Sequence, residues 1–563
     1  MHTPTRRTLL SASILAAGSG LLGACSGSGT PSEAGPHPGT ERGSGSAPGS
    51  GDADGGRRPF VPKGPKGYVN PSDPEVLAAE RERGTGPVRT FRLTAAETTF
   101  DLGGRSVRTW AYSNAVPGGV IRVTRGDILD LTLANRLPVA TTLHSHGVRL
   151  RCDMDGVPGL TQKGIKPGEE FRYRFAVAYP GTYLLHSHEG MQLDRGLYAP
   201  LIVDDPEEPL SYDKEWVVVL DDWVDGVDGS TPDGVLAQLH KGKRSPMSMD
   251  MEETGGGGEQ EGSAASHASA GRSAPYHPSA GGPSRLLRHS HSRLLDGMGG
   301  NVDFPYYLIN GHLPRSAQVF RAKPGDRVRL RLINAGADTA FRVALGGHRM
   351  TVTHTDGYPV EHQDTDALLI GMAERYDVVV TVKDGMFPLL ALAEGKGSKA
   401  RALAVLRTDK GKGLPAASVH PDELDGRILP ARSLRPQESV AFRDGEPDRH
   451  IRIRLTGSMK NYDWAFDHRP YTTEHRHPIR QDERVRLTLI NATDMWHPLH
   501  LHGHTFALTG INDTGTRKDT AIVLPHRKLV ADFYADNPGL WMLHCHNQYH
   551  SESGMMTILG YRK

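Results

Sequence analysis

Residues 125–135 read Arg-Gly-Asp-Ile-Leu-Asp-Leu-Thr-Leu-Ala-Asn. A Gly-Asp turn is followed by a run alternating apolar and polar residues, and then by an asparagine. Alternation with period two sends successive side chains to opposite faces of a strand. The pattern returns as Pro-Gly-Asp-Arg-Val-Arg-Leu-Arg-Leu-Ile-Asn at 324–334 and as Asp-Glu-Arg-Val-Arg-Leu-Thr-Leu-Ile-Asn at 482–491. Three copies of one turn–strand–loop unit predict an all-β chain of three related sandwich domains. Further short alternating runs, such as residues 88–93 and 375–382, are bounded by Gly, Pro, Asn and Asp and keep the same rhythm.

The copies differ in the residues that come after them. The first leads into Leu143-His-Ser-His-Gly147, and the third leads into His497-Pro-Leu-His-Leu-His-Gly503. The second leads into Phe341-Arg-Val-Ala-Leu-Gly346, without a histidine pair. Gly181-Thr-Tyr-Leu-Leu-His-Ser-His188 is matched by Gly539-Leu-Trp-Met-Leu-His-Cys-His546. On a strand, residues i and i+2 share a face, so each His-x-His pair presents two imidazoles side by side. With 28 histidines in the chain, an isolated pair carries little weight, and His289/His291 and His475/His477 are read as solvated bystanders. The pairs His144/His146, His186/His188, His500/His502 and His544/His546 stand at equivalent places in duplicated domains. At two or three imidazoles per ion they could hold about three metals. The expectation is a site shared by the first and third domains, with the second as a spacer.

The stretch His-Cys-His-Asn-Gln-Tyr-His-Ser-Glu-Ser-Gly-Met-Met, 544–556, adds a second site. If His544 and His546 face the cluster, Cys545 faces the other side of the strand and binds a different metal. One cysteine, two histidines and a weak axial methionine describe a blue-copper electron-transfer site. Cys545, His550 and Met555 come from this stretch, and His497 supplies the other imidazole.

Together these motifs resemble those of the multicopper oxidases, over nearly everything from about residue 85 to the C-terminus. The resemblance implies three cupredoxin-like Greek-key β-sandwiches and four copper ions. A type 1 copper would take electrons from substrate, and a trinuclear type 2/type 3 cluster would reduce dioxygen to water. By position, type 1 takes His497, Cys545, His550 and axial Met555, and type 2 takes His144 and His500. The type 3 pair takes His146, His186, His188, His502, His544 and His546. Asp155 matches the position of a proton-delivering carboxylate. Some relatives have a second acid directly after the last type 1 histidine, where this chain has Ser551 followed by Glu552. Cys152 is expected to be an inert buried thiol.

Length and composition bound the rest. The 563 residues allow roughly three or four domains. A net charge of +1 gives no electrostatic footprint for nucleic acid, and three cysteines exclude a disulfide framework and a Cys-only zinc site. Residues 1–25 read as a twin-arginine, lipoprotein-type signal, with Arg6-Arg7, a short apolar run and Leu22-Gly23-Ala24-Cys25. A Gly/Ser/Pro tether covers 26–66. The domains are expected at 67–206, 207–410 and 411–563. A low-complexity insertion of about 240–300 in the second bears Met247, Met249, Met251, His267, His277, His289 and His291. The protein is expected outside the cytoplasm, lipid-anchored through Cys25 to the outer face of the cell membrane, or secreted. By the resemblance, a laccase-like oxidation of phenols and aromatic amines ranks ahead of cuprous-ion oxidation in copper tolerance. A non-catalytic copper-binding protein is the remaining alternative.

Overall fold

The computed structural model describes residues 66–241, 282–411, 413–443 and 445–563. The expected signal with Cys25, the tether as far as residue 65, and Met247, Met249, Met251, His267 and His277 lie outside them. Strands dominate and form six sheets.

Each repeated segment forms a strand inside its sheet. Ile128–Asn135, Arg327–Asn334 and Arg484–Asn491 each run parallel to an upstream strand, Val88–Asp101, Lys214–Trp223 and Arg449–Thr456 respectively. On the other side each pairs antiparallel, with Glu170–Ala176, Arg375–Thr381 and Lys528–Tyr534. The closing asparagine does the same work three times. Nδ2 of Asn135 donates to the carbonyls of Val139 and Ile165, that of Asn334 to Thr339 and Ile370, and that of Asn491 to Met495 and Val523. Each Oδ1 accepts the amide two residues on, at Leu137, Gly336 and Thr493. A buried asparagine that ties the loop after its strand to a neighbouring segment explains why it closes every copy.

The apolar faces of these strands pack on a second sheet. In the first domain Leu129, Leu131 and Leu133 join Tyr183, Leu185 and Leu201 in one core, each worth about 1.5–3 kcal/mol on burial. That second sheet places His144–His146 beside Gly181–His186, with His144 opposite His186. Its counterpart in the third domain places His497–Leu501 beside Leu540–Cys545, with His500 opposite His544. The corresponding strand of the second domain, Phe341–Leu345, carries apolar residues and an arginine instead.

The low-complexity block ends earlier than residue 300. From Gly282 the chain packs onto the second domain: Leu295 is fully buried, and Ser292 Oγ donates to Glu394 Oε1 at 2.6 Å. At the other end His240 closes the helix Pro232–Lys241. No helix among the described residues is long and apolar enough to cross a membrane.

Candidate metal centre

The eight paired histidines converge. Rings from the first and third domains stack on each other, His144 on His502 at 3.9 Å between centroids and His146 on His500 at 3.6 Å. His186 lies 5.3 Å from His546, and His188 lies 5.1 Å from His544. All but the half-buried His188 are buried.

Hydrogen bonds fix the tautomers. Nδ1 of His144 donates to the Asp155 carbonyl at 2.8 Å, of His186 to Ser187 at 2.9 Å, of His500 to Asp519 at 2.9 Å and of His544 to Cys545 at 3.0 Å. A carbonyl can only accept, so each of these rings carries its proton on Nδ1 and leaves Nε2 as a bare lone pair. The Nε2 atoms of His144, His186, His188, His500 and His546 are buried without a hydrogen-bond partner. His146 is reversed: Nε2 lies 3.1 Å from Asp519 Oδ1, and Nδ1 is the orphan. Nε2 of His502 and Nε2 of His544 face each other at 3.0 Å, although both rings hold their protons on Nδ1. Two lone pairs at that distance repel unless a cation lies between them. Unsatisfied nitrogens aimed at a common centre are what a metal cluster requires.

Electrostatics agree. Burial, then the neighbouring His144, lowers His188 to about 3, and burial and adjacent imidazoles push His186, His502, His544 and His546 well below the usual histidine range. Neutral imidazoles are the form that binds metal.

The second site lies across the same strand. Nδ1 of His497 and Nδ1 of His550 are 3.1 Å apart, and Cys545 Sγ is 3.6 and 3.7 Å from them. Ligands about 2.0–2.3 Å from one ion would be separated by about 3.5 Å in a trigonal plane, so this triangle fits a single metal. The outer nitrogens are occupied: His497 Nε2 lies 2.9 Å from Thr493 Oγ1, and His550 Nε2 lies 2.9 Å from the Asn301 amide. Met555 is fully buried and its carbonyl accepts from the Cys545 amide at 3.1 Å. Cys545 thus belongs to one site while its neighbours His544 and His546 belong to the other, as the alternation of a strand demands.

Asp155 sits between the domains. Its Oδ2 accepts from His502 Nδ1 at 2.9 Å, while its carbonyl orients His144. Its geometry is that of a residue aiming two ligands, with the buried Oδ1 also 3.2 Å from His144 Nδ1. Ser551 is buried, its Oγ 3.5 Å from His544 Nδ1. Cys152 is buried as expected, and burial pushes its thiol well up. It is also a clasp, donating to the Leu540 carbonyl at 3.3 Å and accepting the Leu540 amide at 3.2 Å. His289 and His291 are exposed and His475 and His477 are half-buried, all apart from the cluster groupings.

The spacer expectation needs correction. Among the described residues the second domain adds none to the metal groupings, yet its Asn301 caps His550 and its Arg375 grips Asp519. Asn301, Asp519, Thr520 and Arg375 belong to no histidine motif, so sequence reasoning had no handle on them.

Two sets of nitrogen and sulfur donors joined by one strand, within paired β-sandwiches, define a copper-binding electron-transfer protein of the cupredoxin class. Three multicopper oxidase family models match the chain, at residues 94–208, 289–411 and 444–562. The multicopper oxidase MmcO of Mycobacterium tuberculosis is 46% identical over 86% of this chain and 90% of its own length. A copper resistance protein A homolog of Pseudomonas syringae pv. tomato is 29% identical over 86% of this chain and 93% of its own. A laccase crystal structure from Botrytis aclada superposes with a TM-score of 0.65 at 25% identity, over 84% of this chain and 88% of that one. The chain belongs to the multicopper oxidases. It is an oxidoreductase, and copper is its cofactor, four ions being standard for the family.

Proposed function

We propose that this chain is an exported multicopper oxidase whose preferred reductant is a small one-electron donor, cuprous ion, with phenols second. Copper supplies the redox chemistry, passing electrons from the reductant to dioxygen. The protein's part is to aim the ligands and to control access to them. Type 1 is assigned to His497, Cys545, His550 and Met555, type 2 to His144 and His500, and type 3 to the other six imidazoles. The triangle of His497, Cys545 and His550 supports the first assignment. Nδ1–H of His144 and of His502, both held by Asp155, supports the orientation of the cluster, and the buried carboxylate of the same residue is the group suited to pass a proton inward.

One observation moves the substrate preference from phenols to cuprous ion: His550 is roofed. Its Nε2 meets Asn301, whose Nδ2 also lies 2.8 Å from Asp338 Oδ1, and Asn301, Asp338 and His550 are all buried. A phenol would have to displace that amide to touch the imidazole, whereas a small metal ion bound above it need not contact the ring to pass an electron. Half-buried Met298 and Met459 pack against the large apolar core that contains Trp464 and Met555, and thioethers suit Cu(I). The twin-arginine signal and Cys25 support export and a lipid anchor.

Oxygen uptake by the copper-loaded protein, compared between stabilised Cu(I) and a dimethoxyphenol, tests the reading. Faster turnover of Cu(I) is expected. Faster turnover of the phenol would reverse the preference, and no uptake with either would return the protein to copper storage.

A further inference from the structure

His146 is the one imidazole of the eight whose Nδ1 faces the cluster while Nε2 is tied back. The tie begins in the domain without ligands. Arg375 is fully buried on Arg375–Thr381 and forks onto Asp519, Nη1 to Oδ1 at 2.7 Å and Nη2 to Oδ2 at 2.5 Å. A bidentate guanidinium–carboxylate pair fixes the plane of the carboxylate as well as its place. From that plane Asp519 Oδ1 reaches His146 Nε2 at 3.1 Å, beside Thr520 Oγ1, also at 3.1 Å.

The guanidinium is itself held from all sides. Nε donates to the Thr182 carbonyl at 3.0 Å and Nη1 to that of Ala373 at 3.0 Å. Asp356 accepts the Arg375 amide on one oxygen and the amides of Asp519 and Thr520 on the other. The residue after His146 is shaped to the pair: Gly147 has φ +80°, and a Cβ there would overlap both Arg375 Nη2 and Asp519 Oδ2. Three segments far apart in sequence thus meet in one line, Arg375 to Asp519 to His146.

We propose that Arg375 is a positioning residue of the trinuclear site: by locking Asp519 it makes Nε2 of His146 the protonated nitrogen and Nδ1 the one that faces copper. The proposal rests on reading the eight imidazoles as that cluster. The third domain's strand position alone would place a carboxylate near His146 but would not orient it. Without the fork, Oδ1 could turn away, and His146 could adopt the Nδ1–H tautomer of its neighbours and lose its ligand atom.

The test reads the tautomer first. In the metal-free wild type, the imidazole nitrogen-15 signals of His146, assigned by their loss in His146→Gln, should show the proton on Nε2. A proton on Nδ1 would overturn the proposal without any further variant. Arg375→Met and the isosteric Asp519→Asn should then keep the intense blue type 1 absorption. They should hold fewer than four coppers per chain, with the type 2 paramagnetic signal and the near-ultraviolet band of the coupled pair altered. Arg375→Lys, which can make one of the two hydrogen bonds, should recover part of those signals. Trinuclear spectra identical to wild type in both Arg375→Met and Asp519→Asn would sink the proposal. Absence of trinuclear signals from the wild type itself would instead sink the cluster reading on which it stands.

Discussion

Asp155 and His502 are separated by 347 residues of chain, yet a carboxylate oxygen of one accepts from Nδ1 of the other at 2.9 Å. The same residue holds His144 through its carbonyl, so one turn of the first domain aims a ligand on each side of the domain boundary. Asp155→Ala removes the acceptor of a buried N–H and frees the His502 ring. Activity or copper affinity should fall by about 10–100-fold, while the blue absorption is unchanged. Oxygen-uptake kinetics beside a visible spectrum check both halves, and Asp155→Asn, which keeps a carbonyl acceptor, should lose less.

Cys545→Ser exchanges a thiolate for a hydroxyl at the centre of the His497–His550 triangle. Charge transfer from sulfur to copper is what colours such sites, so the blue band and the activity should vanish together. The eight imidazoles stay in place, and the near-ultraviolet and type 2 signals should persist. A surviving blue band would show that another residue is the thiolate ligand.

Asn301→Ala should open the roof over His550 by deleting the amide that lies 2.9 Å from its Nε2. Phenol turnover is expected to rise several-fold, with Cu(I) turnover changed little. The ratio of kcat/KM values for the two reductants is the quantity to measure. A fall in both alike would mean that Asn301 supports the type 1 site without gating it.

Acid should destabilise the metal-free protein over a defined window. His188 and His550 titrate near 6.5 when unfolded, but burial first of all lowers each to about 3 in the fold. Below pH 6.5 the unfolded chain therefore binds protons that the folded one does not. Stability should fall by about 1.4 kcal/mol per pH unit for each such histidine until pH nears 3. Above 6.5 these groups contribute no pH dependence. Urea unfolding of the metal-free protein at pH 7.5 and 5.0 would show a lower midpoint at the acid value.

Gly539 has φ +150°, and a Cβ there would lie 2.7 Å from Cys152 Sγ. Gly539→Ala should push apart the clasp between Cys152 and Leu540, at a cost of about 1–3 kcal/mol. Because Asp155 comes soon after Cys152 in the same short turn, the variant should also weaken the trinuclear signals before the type 1 band. Thermal unfolding and copper titration together separate the two effects.

Much of the architecture is legible in the sequence. The repeat at 125–135, 324–334 and 482–491 forms three equivalent strands, and the asparagine that closes each copy makes equivalent hydrogen bonds. The four histidine pairs converge, and Cys545 parts from His544 and His546 as strand alternation requires. Local periodicity and ligand chemistry decide those features, since both are written in neighbouring residues. The end of the insertion is not legible in this way, because residues 282–300 are polar and glycine-rich but are held by contacts with distant partners such as Glu394.

The sequence by itself determined the class of fold, the donor atoms available and the division of one strand between two sites. Only the tertiary structure decided which nitrogen of each histidine faces the centre, because that depends on what the other nitrogen meets. For His502 and His146 those partners, Asp155 and Asp519, lie hundreds of residues away, whereas for His186 and His544 the partner is the carbonyl of the next residue. A tautomer is set by a hydrogen bond made in the folded chain, and residue type and spacing alone do not record it.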